Sequence, residues 1–304
     1  MTELMSAAIS ARELIQQLIN AVGVGSQYAL LAIGLAMVFS LLGMVNFAHG
    51  ELVTVAAYTV YLLERAGVSF WIGAVAALLA AGLAAMAMER LAFRPLRNAS
   101  FATLLLASFA VSQIVEGLFL HFVSPRAKSV SVPGVFNHFI RVGGYTISDI
   151  YLFSALAAMV ALGLLTLFLR RSRHGVAMLA ASQDFEIARA MGIRANGVIA
   201  AAFAISGVLA GVAAILILGQ QGSVSPDMGF DPLLIAFISC VIGGLGSLRG
   251  AVFGGFVYAF IQGILTAFLP TSALAYGDAF ALAIVIAILY FAPQGLLTRV
   301  APST

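Results

Sequence analysis

The sequence is poor in charge, lysine and cysteine, and each shortage excludes something. Only 9% of its 304 residues are Asp, Glu, Lys or Arg, where an ordinary soluble domain carries about 25%. The one lysine is Lys128. A phosphate-cradling loop of the GxxxxGK[ST] kind needs a lysine at its end, so no such loop fits the glycine-rich stretch "GGLGSLRG" (243–250). Its glycines are expected to serve a tight turn or close helix packing instead. The single cysteine, Cys240, leaves no internal disulfide and no cysteine-based metal cage. It lies in an apolar run and reads as a small buried hydrophobe. The first residues lack a basic lead-in, with Glu3 preceding any Lys or Arg, so no secretory leader is expected there. A net charge of +3 comes without a basic patch interleaved with aromatics, so nucleic acid is not an expected partner.

What is present in abundance is apolar surface. Hydrophobic residues make up 62% of the chain, and the mean hydropathy is +1.08. A water-soluble globule of this size cannot hide so much, so lipid is the expected solvent for most of it. Nine apolar segments stand out, at 14–43, 46–63, 68–89, 100–122, 149–169, 196–218, 231–247, 250–269 and 277–292. They lack the strict alternation of barrel strands, which leaves helices. The expected fold is therefore all-α: a polytopic membrane helix bundle of about eight to ten transmembrane or re-entrant helices. No hydrophilic linker divides it, so residues 1–304 are read as a single transmembrane domain. Residues 11–22, "ARELIQQLINAV", have an amphipathic look and are expected at the membrane interface.

Arginine placement suggests an orientation. With the 90–99 and 170–195 loops inside, Arg90, Arg94, Arg97, Arg170, Arg171, Arg173, Arg189, Arg194, Arg249 and Arg299 face the cytoplasm. Arg12, Arg65, Arg126, Lys128 and Arg141 then face out, as does the N-terminus, and the C-terminus lies inside. The outer loop at 123–148, with Gly143 and Gly144, forms either a small hairpin or coil. A shift of 200 residues lays "GMVNFAHGELVTVAAY" over "GGLGSLRGAVFGGFVY" and aligns Gly43 with Gly243, Gly50 with Gly250 and Tyr58 with Tyr258. This is either an internal repeat of the kind transporters use or coincidence among 30 glycines.

The polar residues gather at a few places. In "ASQDFEIARAMGI" (181–193), Ser182 is expected to cap a short helix, with Asp184 and Glu186 near its positive end and Gly192 at its C-terminal stop. Phe185, Ala188 and Met191 follow at i, i+3 and i+6, on one face, with Arg189 beside them. Such a helix either lies on its own membrane domain or docks into a partner as a knob. "NFAHGE" (46–51) puts Asn46, His49 and Glu51 between two apolar segments. They either line a solute path or gate, since membrane-embedded polar groups face protein or water, or cap the next helix at the inner interface. Gln113 and Glu116 share a face of the fourth segment, which points either to a wet cavity or to the outer end. Asp231 before Pro232 reads as an N-cap with proline at the first helical position. Gln220, Gln221 and Ser223 read as an outer helix end, exposed to solvent or to an arriving solute. No group of residues has the make-up of a metal site or a catalytic constellation.

Three motifs carry a family resemblance. "GSQYALLAIGLAMVFSLLGMVNFAHGELVTVAAY" resembles the N-terminal signature of the branched-chain amino acid permeases of the LivH type, and "SCVIGGLGSLRGAVFGGF" their glycine-rich C-terminal segment. "ARAMGIRANGVIAAAFAISGVLAGVAAIL" resembles the coupling-helix region of ABC importer permeases. The resemblance implies a non-enzymatic translocation subunit in a bacterial cytoplasmic (inner) membrane. Its implied partners are a second related permease, two cytoplasmic ATPases and a periplasmic or extracellular solute-binding protein. ATP and Mg would be bound by the ATPases, so this chain would hold no cofactor. It also implies that 182–193 is the coupling helix, with Ser182, Asp184, Phe185, Ala188, Arg189, Met191 and Gly192 meeting the ATPase cleft. The implied cargo is branched-chain or other amino acids, with urea, short amides and aromatic carboxylates as alternatives within the family. A stand-alone secondary transporter or channel is the rival class. It would call for coupling-ion acids in mid-span, for which Glu116 is the strongest candidate, and would leave the 182–193 helix unexplained.

Overall fold

The computed structural model describes residues 2–297, without the side chains of residues 2–11, Phe185, Glu186 and Ala195. Arg299, expected at the cytoplasmic side, lies outside the described residues. Eleven α-helices occupy the described part: α1 (Thr2–Leu42), α2 (His49–Arg65), α3 (Phe70–Met88), α4 (Phe101–Phe122), α5 (Asp149–Arg171), α6 (Arg173–Gln183), α7 (Phe185–Ala190), α8 (Ala195–Gln221), α9 (Phe230–Gly243), α10 (Leu248–Phe268) and α11 (Gly277–Phe291). Each of the nine apolar segments is one of these helices. Among the described residues, seven helical stretches are long and apolar enough to cross a membrane. The protein is a multi-pass membrane protein built as a helical bundle.

The first apolar segment departs from expectation. Residues 11–22 are not a separate interfacial helix but part of the unbroken α1, whose stretch Arg12–Leu42 is 31 residues long. Contacts near the start of that stretch hold it to the outer loop: Arg12 donates to the Gly144 carbonyl, and Gln16 bonds the backbone of Thr146 in both directions. The polar residues that look amphipathic thus meet the outer loop rather than headgroups. That loop does form a hairpin, β2 (Phe139–Val142) against β3 (Tyr145–Ser148). It turns on Gly143 (φ 60°) and Gly144 (φ 87°), the positive-φ pair that a two-residue hairpin turn demands. A second small pairing joins β1 (Lys128–Ser129) to β4 (Ser223–Val224).

Small residues bring the helices close. At the α1–α10 seam, a Cβ on Gly255 would lie 2.8 Å from the Ala29 nitrogen. Between α3 and α8, a Cβ on Gly207 would lie 2.4 Å from the Ala81 carbonyl oxygen. Where lipid removes the hydrophobic drive between helices, such close backbone contact is what holds them together. Two joints break the bundle's regularity. α1 ends at Leu42, the chain turns at Gly43 (φ 64°), and α2 starts at His49. α9 ends at Gly243, the chain turns at Gly244 (φ 101°) and Gly246 (φ 84°), and α10 starts at Leu248. The two joints fall at matching places under the 200-residue shift, and Tyr58 and Tyr258 are both buried. In the second joint the glycines do serve close packing, since a Cβ on Gly243 would sit 1.8 Å from the Gly250 carbonyl oxygen.

Candidate functional site

The α1–α2 joint is held by side chains. Asn46 Oδ1 accepts from the Ala48 N–H at 3.1 Å, and its carbonyl accepts from the His49 N–H. Ser108 on α4 accepts from the Phe47 N–H at 3.2 Å. His49 Nδ1 lies 3.2 Å from Ser206 Oγ on α8, and its ring rests against Gly34 of α1. These partners restore the backbone bonds that a helix break gives up, which is the condition for irregular backbone at membrane depth. Ser206 and Ser112 lie near the middles of α8 and α4. Asn46, His49 and Glu51 are therefore inside the bundle and buried (1%, 0% and 4% exposed).

From this joint α2 carries a polar row. Glu51, Thr54 and Tyr58 follow at i, i+3 and i+7, on one face. Ser112 Oγ donates to Glu51 Oε1 at 2.8 Å, and the Tyr58 ring stacks on Phe119 of α4 with centroids 4.3 Å apart. Glu51 Oε2, Thr54 Oγ1 and the Tyr58 hydroxyl make no hydrogen bond within the described chain, although all are buried. Leaving such a group unpaired costs about 1–3 kcal/mol, so three in a row on one helix face need a reason.

Two neighbouring elements complete the surroundings. On α4, Gln113 Nε2 bonds Glu116 Oε2 at 3.2 Å, with Glu116 half-buried and Gln113 exposed. The turn 225–229 is drawn against α2 because Gly50 and Gly229 nearly touch: a Cβ on Gly229 would be 2.0 Å from the Gly50 carbonyl oxygen and 2.8 Å from Thr54 Oγ1. Asp227, bonded to Ser225 Oγ at 2.6 Å, thereby comes within electrostatic reach of both Glu51 and Tyr58. Asp231 is not an N-cap. α9 starts one residue earlier, Gly229 occupies the cap without a side-chain bond, and Asp231 and Pro232 sit in the first turn. Gln220, at the end of α8, bonds Gln27 and the Tyr151 hydroxyl, each at 3.4 Å, so it is tied into the bundle. Cys240 is buried, its Sγ against the Ala32 carbonyl at 3.2 Å. No group of three or more His, Cys, Asp or Glu among the described residues is arranged to hold a metal.

The charged segment after α5 is two helices. Ser172 caps α6 by accepting from the Gly175 N–H at 2.8 Å. α7 is capped by Asp184, whose Oδ1 accepts from the Ile187 N–H at 2.9 Å. Ser182 is not the cap. It belongs to the last turn of α6, where its hydroxyl bonds back to the Leu179 carbonyl, so the cap passes to the next acid along the chain. Gly192 stops α7 with φ 87°, and the Ile193 N–H closes on the Ala188 carbonyl at 3.1 Å. Ala188 turns inward and is buried. Met191 (79% exposed), Ile187 (59%) and Arg189 face outward. The side chain of Phe185 lies outside the described part.

Composition did not bring together Ser108, Ser112, Ser206, Thr54, Tyr58 and Asp227. The one legible signal was the i, i+3, i+7 spacing within "ELVTVAAY". Also unforeseen is a clamp at the end of α3. Arg97 pairs with buried Glu89, in a π-helical turn (Glu89–Phe93), and bonds Asn196 at the start of α8.

Comparison with known proteins matches residues 17–289 to the model of one family, described as "Branched-chain amino acid transport system / permease component". The high-affinity branched-chain amino acid permease LivH of Escherichia coli (strain K12) is 33% identical over 301 residues, covering 94% of this chain and 96% of that protein. BraD of Pseudomonas aeruginosa, likewise a high-affinity branched-chain amino acid permease, is 32% identical with the same coverage of each. LivM of Escherichia coli (strain K12), another permease of a branched-chain amino acid system, is 27% identical over 90% of this chain and 68% of LivM.

Proposed function

Because the chain belongs to the branched-chain amino acid transport permease family, we propose that it is the membrane-spanning subunit of a binding-protein-dependent ABC importer for branched-chain or related amino acids. The observation that carries the reading is the buried row Glu51, Thr54 and Tyr58, with its unpaired oxygens, inside an otherwise apolar membrane bundle. A solute with N–H or ammonium donors, passing along that face of α2, would supply the bonds the chain leaves open. Gln113, Glu116 and Asp227 would border the same path. Asn46 and His49 hold the joint from which the row starts, so they would act as gate positions.

The chain would work as one domain with its N-terminus outside and C-terminus in the cytoplasm of a bacterial cytoplasmic membrane. A second related permease would pair with it, and LivH and LivM show that two such permease names occur in one organism. A solute-binding protein would dock outside. Two cytoplasmic ATPases would bind ATP and Mg and grip α6 and α7, with Asp184, Arg189, Met191 and Gly192 at the contact and Phe185 beside them. Ser182 and Ala188 would support that knob from behind. The exposed apolar Ile187 and Met191 favour docking, since such side chains on a short polar helix need a partner surface.

The test is co-purification followed by reconstitution. A tagged chain should bring an ATPase with it, and proteoliposomes of the complex should take up leucine only with both ATP and binding protein. Uptake by this chain alone, driven by an ion gradient, would replace the importer with a secondary transporter.

A further inference from the structure

A groove on the membrane-facing side of the bundle lies away from the α2 row. It has a volume of about 640 Å³ and is walled by α3, α5 and α8, through residues such as Leu79, Leu83, Met86, Ala161, Leu164 and Val208. Its lining is entirely apolar. Gly82 and Ala161 are small residues among the Leu, Val and Met that line it. A soluble partner has no claim on a wall of this kind within membrane-crossing helices. A hydrocarbon chain does.

Beyond one end of the groove, the helices that wall it carry charge. Along α3, Leu79, Leu83 and Met86 lead at helical spacing to Arg90, four residues beyond Met86 and exposed. Along α5, Ala161 and Leu164 lead to Arg171, seven residues beyond Leu164 and also exposed. Along α8, the same direction ends at the exposed Arg194. All three lie at the end of the bundle that bears α6 and α7. Among the described residues, none of them is in a salt bridge; the one present joins Arg97 to Glu89. Exposed arginine forks on the helices that wall an apolar slot, beyond its end, match a phosphate above an acyl chain.

We infer that this groove is a binding site for an anionic phospholipid, with an acyl chain between α3, α5 and α8 and the phosphate held by Arg90 and Arg171. A zwitterionic lipid would fill the slot equally well but satisfy the arginines less, so the site selects by headgroup charge. Binding there would couple α5, which leads directly into α6 and α7, to α3 and α8, which flank the path-bearing α2.

The experiment uses the full chain in the complex with which it purifies. The complex is delipidated in mild detergent and titrated with phosphatidylglycerol or phosphatidylcholine, and bound lipid is read by native mass spectrometry. Phosphatidylglycerol should be retained at about tenfold lower concentration, the preference that about 1.4 kcal/mol gives. The double variant Arg90→Gln/Arg171→Gln should lose the preference, and Ala161→Trp should lose retention of both lipids. Equal retention of the two lipids by the unaltered chain, or an undiminished preference in the double variant, would overturn the proposal. Photoactivatable phosphatidylglycerol on the unaltered complex covers the case of variants that do not fold. It should label α5 and α8 peptides at the groove. Labelling confined elsewhere, or a protein cross-link at position 161 showing that a subunit fills the slot, would also overturn it.

Discussion

Ser112 Oγ lies 2.8 Å from Glu51 Oε1 and joins the middle of α4 to the first turn of α2. It is the short hydrogen bond that anchors Oε1 of Glu51. Ser112→Ala should therefore destabilise the chain by about 1–3 kcal/mol. Glu51→Gln keeps the shape and an acceptor, so it should melt near the parent yet lower leucine uptake about tenfold or more. Thermal unfolding in detergent and uptake per folded molecule separate the two effects. Parent-level uptake by Glu51→Gln would remove this residue from the path.

Gly229 has ordinary helical torsions (φ −82°, ψ −14°), so only space forbids a side chain there. Gly229→Ala should force α2 and α9 apart and cost at least the 1–3 kcal/mol or so of an overpacked core. Gly117→Ala on α4 meets nothing within 4 Å and should be neutral or stabilise by about 0.5–1 kcal/mol, the helix preference for Ala. Fluorescence-detected size exclusion after a heat step reads both. Equal melting of the two variants would contradict the close approach.

The Arg97–Glu89 pair at the end of α3 is mostly hidden, with 16% and 3% of the side chains exposed. Arg97→Ala would leave a buried carboxylate without its cation, which costs about 3–5 kcal/mol. Adding Glu89→Gln to Arg97→Ala should recover part of the loss. A double variant no more stable than Arg97→Ala alone would show that the cation's packing, not its charge, is what matters.

Met191→Asp changes an exposed side chain on α7 and should leave membrane insertion untouched while separating ATP hydrolysis from uptake. Phe185→Asp should act in the same direction. Gly192→Ala has room but the wrong torsion (φ 87°), so about 1–2 kcal/mol of strain should loosen the knob. ATPase rate and uptake, measured in the same proteoliposomes, give the coupling ratio. An unchanged ratio in Met191→Asp would count against docking at this face.

The apolar segments and their helices were legible because length and hydropathy are local properties, whereas the paired Gly143 and Gly144 left hairpin and coil both open. Residues 11–22 misled because their polar side chains serve a loop more than a hundred residues away, and no local window sees Thr146. Ser182 and Asp184 compete for one cap two residues apart, and the choice depends on where α6 ends. The joint at 43–48 was marked by "NFAHGE", but its depth depends on Ser112 and Ser206 of other helices. Composition carries no trace of such packing. The close contact of Gly50 with Gly229 was equally hidden, since each glycine alone looks like ordinary punctuation.

The two joints also act as length gauges for the chain. Phe47, Ala48 and His49 are each tied to a partner at a fixed place in the chain, so one residue inserted between Gly43 and His49 would break some of these bonds and displace α2 with its row Glu51, Thr54 and Tyr58. Related permeases should therefore tolerate insertions in the outer loop between α4 and α5 while keeping the count from Gly43 to Glu51 constant.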